Sequence, residues 1–342
     1  MSYSQPGVAS SQQCDAIVQN GCVLTLNPNG DIFSPGALAI KGPSIAAVGD
    51  QAKILAAWHA DRVLDARGAI VHPGLIDAHN HIVHGTSRGV FRSGAPAHNG
   101  ISFADWKAGV TSDDEFIATE AAALEMLRVG FTTFVEPGTA FDTSAVAAGA
   151  EAVGVRACLA PPYLWDQVDT MHELPGLESE SLYRRCPPDL KRCLAEVGRE
   201  LNWNKNPNGR IHGYVSVYGL GTASDTLLRA AQEAADAAGV VFQQHEGYTP
   251  QASRVDRKRL AKSRVSHLGS LGVLGPGSAL IHMYVFDEDD IETLVKSGTS
   301  VVTCPAAYLE LGISADVTWS APKFRERGIP VALGTDGARS CV

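Results

Sequence analysis

A chain of 342 residues with 45% hydrophobic and 19% charged residues has room for one large domain or two small ones and the balance of a globular α/β enzyme. A net charge of −9 argues against a polyanion as main partner, because phosphate binding needs clustered Lys and Arg; the densest basic run, RVDRKRLAKSR at 254–264, reads as a solvated helix face. The N-terminus MSYSQPGVASSQQ lacks the apolar core of a signal peptide, no run reaches membrane-spanning length, and seven cysteines (14, 22, 158, 186, 193, 304 and 341) without a CxxC fit free thiols in a reducing cytoplasm.

Residues 1–13 read as disordered. In 14–67 the short segments AIVQNGCVLTL, ALAIKG, SIAAVGD and RVLDARG alternate with Asn, Gly, Pro and Asp, which predicts strands of a small sheet domain. From 68 to 342 strands alternate with helices. The strands are expected at 68–77, 131–136, 155–160, 211–218, 240–245, 278–282, 299–304 and 330–335. Helices such as SDDEFIATEAAALEMLRVG, SDTLLRAAQEAADAAG and DEDDIETLVKSG open on a Ser or Asp cap with an acidic first turn and end near Gly. Eight strands with seven helical stretches predict an α/β fold, a (β/α)8 TIM-like barrel. The alternative is a doubly wound open sheet. It calls for a glycine-rich dinucleotide loop after its first strand, and neither that GxGxxG nor a GxxxxGK[ST] is present.

In such a barrel, chemistry sits at the C-terminal ends of the strands. The run AIVHPGLIDA (69–78) reads as a buried strand, and His79 and His81 just beyond it would project to one side. A lone His-x-His pair is weak evidence, so the other strand ends decide its meaning. Strand 5 ends in His245, strand 6 in His282 and strand 8 in Asp336. Four histidines and an aspartate at one rim point to a metal site.

These segments resemble the amidohydrolase superfamily. PGLIDAHNH (73–81) is similar to its strand-1 signature, VGFTTF (129–134) to its Gly-x-Thr-Thr element, TCPAAYLELG (303–312) to its strand-7 segment and ALGTDG (332–337) to its strand-8 aspartate motif. The resemblance spans about 14–337 and lies nearest the mononuclear branch, beside cytosine and guanine deaminases and triazine hydrolases. It implies a metal-dependent hydrolase with a composite β-sandwich to which 14–67 contributes. It implies His79, His81, His245 and Asp336 as ligands of one divalent ion, with Asp336 also the proton shuttle. His282 would polarise the substrate carbonyl. Zn is the first expectation, and the same ligands accept Co, Mn or Fe. Imidazole-held metal lowers the pKa of bound water toward ~7, which an adjacent aspartate can deprotonate. Two-metal relatives carry a strand-4 lysine, absent from HGYVSVYGLG (212–221), which favours one ion; Glu136 is the one candidate bridge to a second.

The match departs from the family in strand 7, where Ala307-Tyr308 stands in place of the common Ser-Asn, and from the deaminases after strand 5. They place a glutamate three residues after the strand-5 histidine to protonate a ring nitrogen; here Tyr248 stands there and Glu246 follows His245 directly. The lead expectation is therefore hydrolysis of an amide, urea, carbamate or thiocarbamate-type bond of a small molecule. The alternative is an aminohydrolase or dehalogenating hydrolase acting on an aromatic N-heterocycle, and a metal-free scaffold is a third. Long loops at 84–106 and 161–176 supply substrate-contact candidates: Arg88, Arg92, His84, His98, Trp106, Tyr163, Trp165 and His172, to which Glu246, Tyr248 and Tyr308 are added. Arg88 or Arg92 could bind a carboxylate. The chain ends six residues past Asp336, without the usual last helix. That predicts an exposed apolar strip on strands 8 and 1, a longer parent protein or another segment covering the strip, and a homo-oligomer. No nucleic-acid or membrane partner is expected.

Overall fold

The structure, a computed structural model, describes residues 11–88, 90–91, 100–168, 171, 179–310 and 320–337. It divides into two compact units at Gly74/Leu75.

The first unit is built on β-structure: β1 (Gln12–Gln13), β2 (Ala16–Leu24), β3 (Ile32–Lys41), β4 (Ser44–Asp50), helix α1 (Gln51–Ala57), β5 (Trp58–His59), β6 (Arg62–Asp65) and β7 (Ile70–Val71). The long strand β2 is the centre. It pairs antiparallel with β3 and parallel with both β6 and β7, while β3 carries β4 on its other edge. Asp50 caps α1 by accepting the N–H groups of Ala52 and Lys53. Cys14, Ile17, Ala37, Ala39 and Ile54 form the unit's core.

The run 69–78, which reads as a single buried strand, is divided. Ile70–Val71 belongs to the first unit as β7. Pro73 lacks the N–H that a continuing ladder needs, and pairing resumes only in the second unit with β8 (Leu75–Asp77) and then β9 (Asn80–His81). A 3₁₀ turn over Ile82–Ser87 follows.

The second unit continues with α2 (Phe103–Ala108), α3 (Ser112–Arg128), β10 (Phe131–Val135), α4 (Thr143–Val153), β11 (Arg156–Leu159), α5 (Glu180–Arg185), α6 (Leu190–Glu196), β12 (Ile211–Gly213), β13 (Val215–Gly219), α7 (Asp225–Ala238), β14 (Phe242–Glu246), α8 (Pro250–Leu260), α9 (Arg264–Leu271), β15 (Ser278–His282), α10 (Glu288–Ser297), β16 (Ser300–Thr303), α11 (Pro305–Glu310), α12 (Ser320–Glu326), β17 (Val331–Leu333) and β18 (Asp336–Gly337). Every pairing is parallel. One sheet runs β12-β11-β10-β8, another β13-β14-β15-β16-β17, and β18 pairs with β9. Only Tyr214 separates β12 from β13, and two residues separate β17 from β18 and β8 from β9.

Local signals explain the helices. Ser224 caps α7 and Asp287 caps α10, the latter with a reciprocal capping box to Asp290. For α3 the cap is Thr111, not Ser112: its hydroxyl takes the Asp114 N–H and the Asp114 carboxylate returns to Thr111, so the helix starts one residue earlier than Ser112 suggests. Helices and strands bury Val215, Val217, Leu227, Leu228, Leu280, Ile291 and Phe324 in one core, and Met126, Phe134, Ala147, Ala157 and Leu159 in another.

An apolar strip on the last and first strands is present: Leu333, Ile76 and Leu75 are 62%, 59% and 41% exposed. Six cysteines are free thiols, and Cys341 lies outside the described residues. Among the described residues no helix is long and apolar enough to cross a membrane.

One glycine marks how tightly strand 4 is packed. Asn204 bonds both the N–H and the C=O of Gly213, at 2.8 and 2.9 Å, and a Cβ there would lie 1.9 Å from the Glu200 carbonyl oxygen. Gly213→Ala should destabilise the fold by roughly 1–3 kcal/mol through overpacking. A urea titration reads this as an earlier midpoint; an unmoved midpoint would refute the tight contact.

Candidate metal centre

The residues expected at the rim converge. The His79 ring centroid lies 4.8 Å from that of His81, 4.9 Å from that of His245 and 5.7 Å from that of His282. Oδ1 of Asp336 is 3.3 Å from His79 Nε2 and 3.2 Å from His81 Nε2. Ligand atoms of His79, His245 and His282, and of His79, His81 and Asp336, lie within 4.8 Å of one another.

Neighbouring groups orient these rings. Nδ1 of His245 is 2.6 Å from the carbonyl oxygen of Tyr218. A carbonyl only accepts, so Nδ1 carries the proton and Nε2 keeps its lone pair. Nδ1 of His81 is 2.7 Å from Thr139 Oγ1. The Thr139 hydroxyl donates its one proton to Glu136 Oε1 at 2.6 Å, so His81 Nδ1 must be the donor and Nε2 is again left as a ligand. Glu136 also accepts the N–H groups of Gly138 and Thr139. Its lone pairs are thus committed to this turn, which favours a single ion.

The donor set fits a cation. Both ring nitrogens of His79 and Nδ1 of His282 are buried without a hydrogen-bond partner; the 3.3 Å approach of Asp336 to His79 lacks hydrogen-bond geometry. Orphaned buried nitrogens are costly unless something electrophilic meets them. Burial drives His81 and His245 well below the usual imidazole range and His282 down to about 3, so all three rings are neutral, as ligands must be. Burial raises the Asp336 carboxyl, but His79 and His81, followed by His282, outweigh it and hold it well below the usual range. It is a carboxylate at neutral pH.

Strand 8 is locked onto strand 1 by Asp77. This buried carboxylate accepts the N–H and hydroxyl of Thr335, at 3.0 and 2.6 Å, and the side-chain amide of Asn80 at 2.8 Å. His282 and Asp336 both adopt left-handed backbone angles, φ 79° and 71°. Non-glycine residues rarely do so, and such strain gathers at functional sites.

The remaining candidates separate into three groups. Tyr248 and Tyr308 flank His282, with ring centroids 4.8 and 5.8 Å away, and the Tyr308 hydroxyl donates to the Tyr248 carbonyl. Tyr163 stacks with Tyr218, which lies 5.2 Å from His245; Trp165 is fully buried behind it, its indole N–H donated to Cys186. Trp106 packs on Phe91 and Phe103, with His84 beyond. Two candidates are turned elsewhere. Arg88, a candidate carboxylate binder, pairs with Glu125 of α3 at 2.7 Å. Glu246 alternates to the other side of β14 from His245, where burial pushes its carboxyl far up against the opposing influence of Arg264. Arg92, His98 and His172 lie outside the described residues.

Sequence reading missed Thr139 and Tyr218. Thr139 follows the end of strand 2 and Tyr218 is the next-to-last residue of β13, so both could have been found by extending the rim search to strands 2 and 4.

Residues 70–342 match the amidohydrolase family. The chain is 33% identical over 338 residues to a 5-methylthioadenosine/S-adenosylhomocysteine deaminase of Syntrophobacter fumaroxidans, covering 96% of this chain and 70% of the relative. It is 30% identical over 334 residues to a 5′-deoxyadenosine deaminase of Methanosarcina mazei, covering 95% and 70%. Among solved structures, a zinc-bound adenosine deaminase from Xanthomonas campestris superposes with a TM-score of 0.76 at 22% identity, over 97% of this chain and 71% of that one. Atrazine chlorohydrolase from Arthrobacter aurescens, complexed with zinc, gives 0.75 at 20% identity, over 95% and 74%. The rim of imidazoles, the parallel α/β topology and these matches agree: the chain belongs to the amidohydrolase family and is a metal-dependent hydrolase acting on carbon–nitrogen bonds.

Proposed function

We propose that His79, His81, His245 and Asp336 hold one divalent ion, zinc first, at the C-terminal rim of a closed (β/α)8 barrel, and that this centre hydrolyses an acyclic amide, urea or carbamate-type C–N bond of a small molecule. Closure is supported by the pairing circuit, in which β12 and β13 act as one strand and β18 meets β9. The ion supplies Lewis-acid activation of water near neutral pH.

The chain's own groups supply the rest. Asp336, ionised and beside the ligands, takes a proton from the attacking water and passes it to the departing amine, or to a thiol in a thiocarbamate. His282, neutral and 5.7 Å from His79 between ring centroids, gives an N–H to the oxyanion that develops on the carbonyl carbon's oxygen. Tyr248 lies against His282 and borders the space a carbonyl would occupy.

The observation that carries the acyclic reading is the orientation of strand 5. Glu246 faces Arg264 and Asp256, and the position three residues past His245 is Tyr248. A ring nitrogen therefore lacks the carboxylic acid that deamination of a heterocycle demands. The second reading, an aminohydrolase acting on an N-heterocycle, is favoured by the deaminase names of the relatives at 33% and 30% identity.

Hydrolysis of N-acyl and N-carbamoyl amines by the zinc-loaded protein, set against ammonia release from adenosine, 5′-deoxyadenosine and guanine, separates the two. Acyclic substrates should turn over, and Glu246→Gln should retain that activity. Ammonia release from a purine that Glu246→Gln abolishes would sink the acyclic reading. Asp336→Asn should lower kcat by about 10²–10⁴-fold.

Metal analysis tests the ligand set separately. About one divalent ion per chain is expected, lost in His245→Ala. Thr139→Val should keep the ligands but weaken zinc affinity by about 10–100-fold, since His81 loses the partner of its Nδ1–H. Unchanged affinity, measured by competition with a chromogenic chelator, would show that the Glu136–Thr139–His81 chain does not tune the metal.

A further inference from the structure

Strand 4 brings to the rim one side chain that the proposed reaction has not used. Tyr218 is the next-to-last residue of β13, at the C-terminal end where His245 and His282 stand on the neighbouring strands. Of residues 213–223 it alone is not buried. Its carbonyl oxygen lies 2.6 Å from Nδ1 of His245, so its backbone is already part of the site. Its ring lies 5.2 Å from that of His245, with Trp165 and Tyr163 behind it at 5.4 and 5.9 Å. Phe141 stacks on Tyr163 in turn, 5.4 Å between centroids. The phenol is thus the last ring of a packed aromatic row, and close packing holds it beside the metal centre.

Packing accounts for the ring but not for its oxygen. Tyr214 donates to the Glu136 carbonyl, Tyr308 donates to the Tyr248 carbonyl, and Tyr284 accepts from Thr303. Among the described residues the Tyr218 hydroxyl makes no hydrogen bond, and its oxygen is not closed off from solvent. Burial pushes this phenol up, and the charge of Asp336 and the phenol of Tyr183 add to the effect. Tyr218 is therefore a neutral O–H at neutral pH, within electrostatic reach of the carboxylate that moves protons in the proposed reaction.

The strand order β13-β14-β15 places Tyr218 and His282 on opposite flanks of His245, with ring centroids 5.2 and 5.4 Å from it. A carbonyl oxygen held over His245 can meet one donor from each flank, and preorganised donors at that point are what stabilise a developing oxyanion. We propose that the Tyr218 hydroxyl is a second donor to the oxyanion, opposite His282, and so a catalytic residue that touches the substrate at its reacting carbonyl. The phenol keeps its proton throughout. Negative charge gathers on the carbonyl oxygen as water adds to the carbon, and it returns to the C=O bond as the C–N bond breaks. The inference rests on the C–N hydrolysis reading above for its reaction, but not for its binding chemistry.

Two measurements keep the two apart. Tyr218→Phe removes an oxygen that bonds to nothing in the fold and leaves the carbonyl that orients His245, so zinc content and thermal midpoint should match wild type. The first measurement is calorimetric binding to zinc-loaded protein of phenylphosphonate, whose tetrahedral anionic oxygens stand in for the oxyanion, and of azide, an anion that needs only the metal. Tyr218→Phe should bind phenylphosphonate roughly 10- to 100-fold more weakly, the worth of one hydrogen bond to a charged group, and should bind azide as wild type does. Equal phenylphosphonate binding by the two proteins, whether tight, weak or absent, overturns the proposal. So does a variant that loses zinc or azide binding, since the phenol would then be a structural part of the metal site.

The second measurement is turnover of the N-acyl and N-carbamoyl amines. Tyr218→Phe should lower kcat by about 10²-fold and leave KM nearly unchanged, because the oxyanion exists only while bonds are changing. An unchanged kcat, or a loss expressed in KM alone, overturns the assignment of Tyr218. If no acyclic amine turns over in wild type, the acyclic reading is the one that fails, and phenylphosphonate binding still decides Tyr218.

Discussion

Everything at this rim depends on burying several neutral imidazoles with their nitrogens aimed at one small volume. His79 is fully buried, and neither of its ring nitrogens has a hydrogen-bond partner. Left so, the arrangement is unfavourable, because each desolvated acceptor forgoes the water it would otherwise bind. A cation reverses the sign of that term. The same burial that lowers the imidazole pKa values also keeps their lone pairs available, so one physical cause leaves these rings suited to a cation and removes the competing proton.

Placing those rings is the work of groups that never touch a substrate. Asp77 answers the question raised by an aspartate just ahead of His-x-His: it is not a ligand but a clasp, holding Thr335 and Asn80 and thereby setting Asp336 against His79 and His81. Thr139 and the Tyr218 carbonyl choose the tautomers of His81 and His245. Gly219, at φ 82°, lets strand 4 turn where a Cβ would meet the His245 carbonyl oxygen at 2.2 Å, which keeps the Tyr218 carbonyl beside the ring it orients. The left-handed angle at Asp336 sits where its N–H is held by the His79 carbonyl oxygen at 2.9 Å, and the one at His282 where β15 pairs with Glu246 of β14.

The residues around the histidine cluster come from elements of a different kind than the cluster itself. The clustered histidines and Asp336 come from strand ends, which the parallel sheets hold rigidly. The aromatic residues near it come from the segments after strands 1, 3 and 5: Trp106, Tyr163 and Tyr248. Such loops are free to change without disturbing the sheet, so a centre that acts on C–N bonds in general can be given a particular substrate by its loops.

Sequence alone determined the α/β class, the parallel alternation of strands and helices and which histidines and aspartate stand at strand ends, because each rests on a local signal: an apolar run of strand length, a capped helix, or a histidine or aspartate at the point where such a run stops. The helix caps at Ser224 and Asp287 were legible for the same reason. Tertiary structure alone decided the division of 69–78 between two units, since the run's composition does not say which sheet will pair with it. It alone turned Glu246 away, drew Arg88 to Glu125 and brought Lys107 to His84. A side chain's partner across 20 or more residues depends on which loops fold together, and neither periodicity nor propensity carries that information.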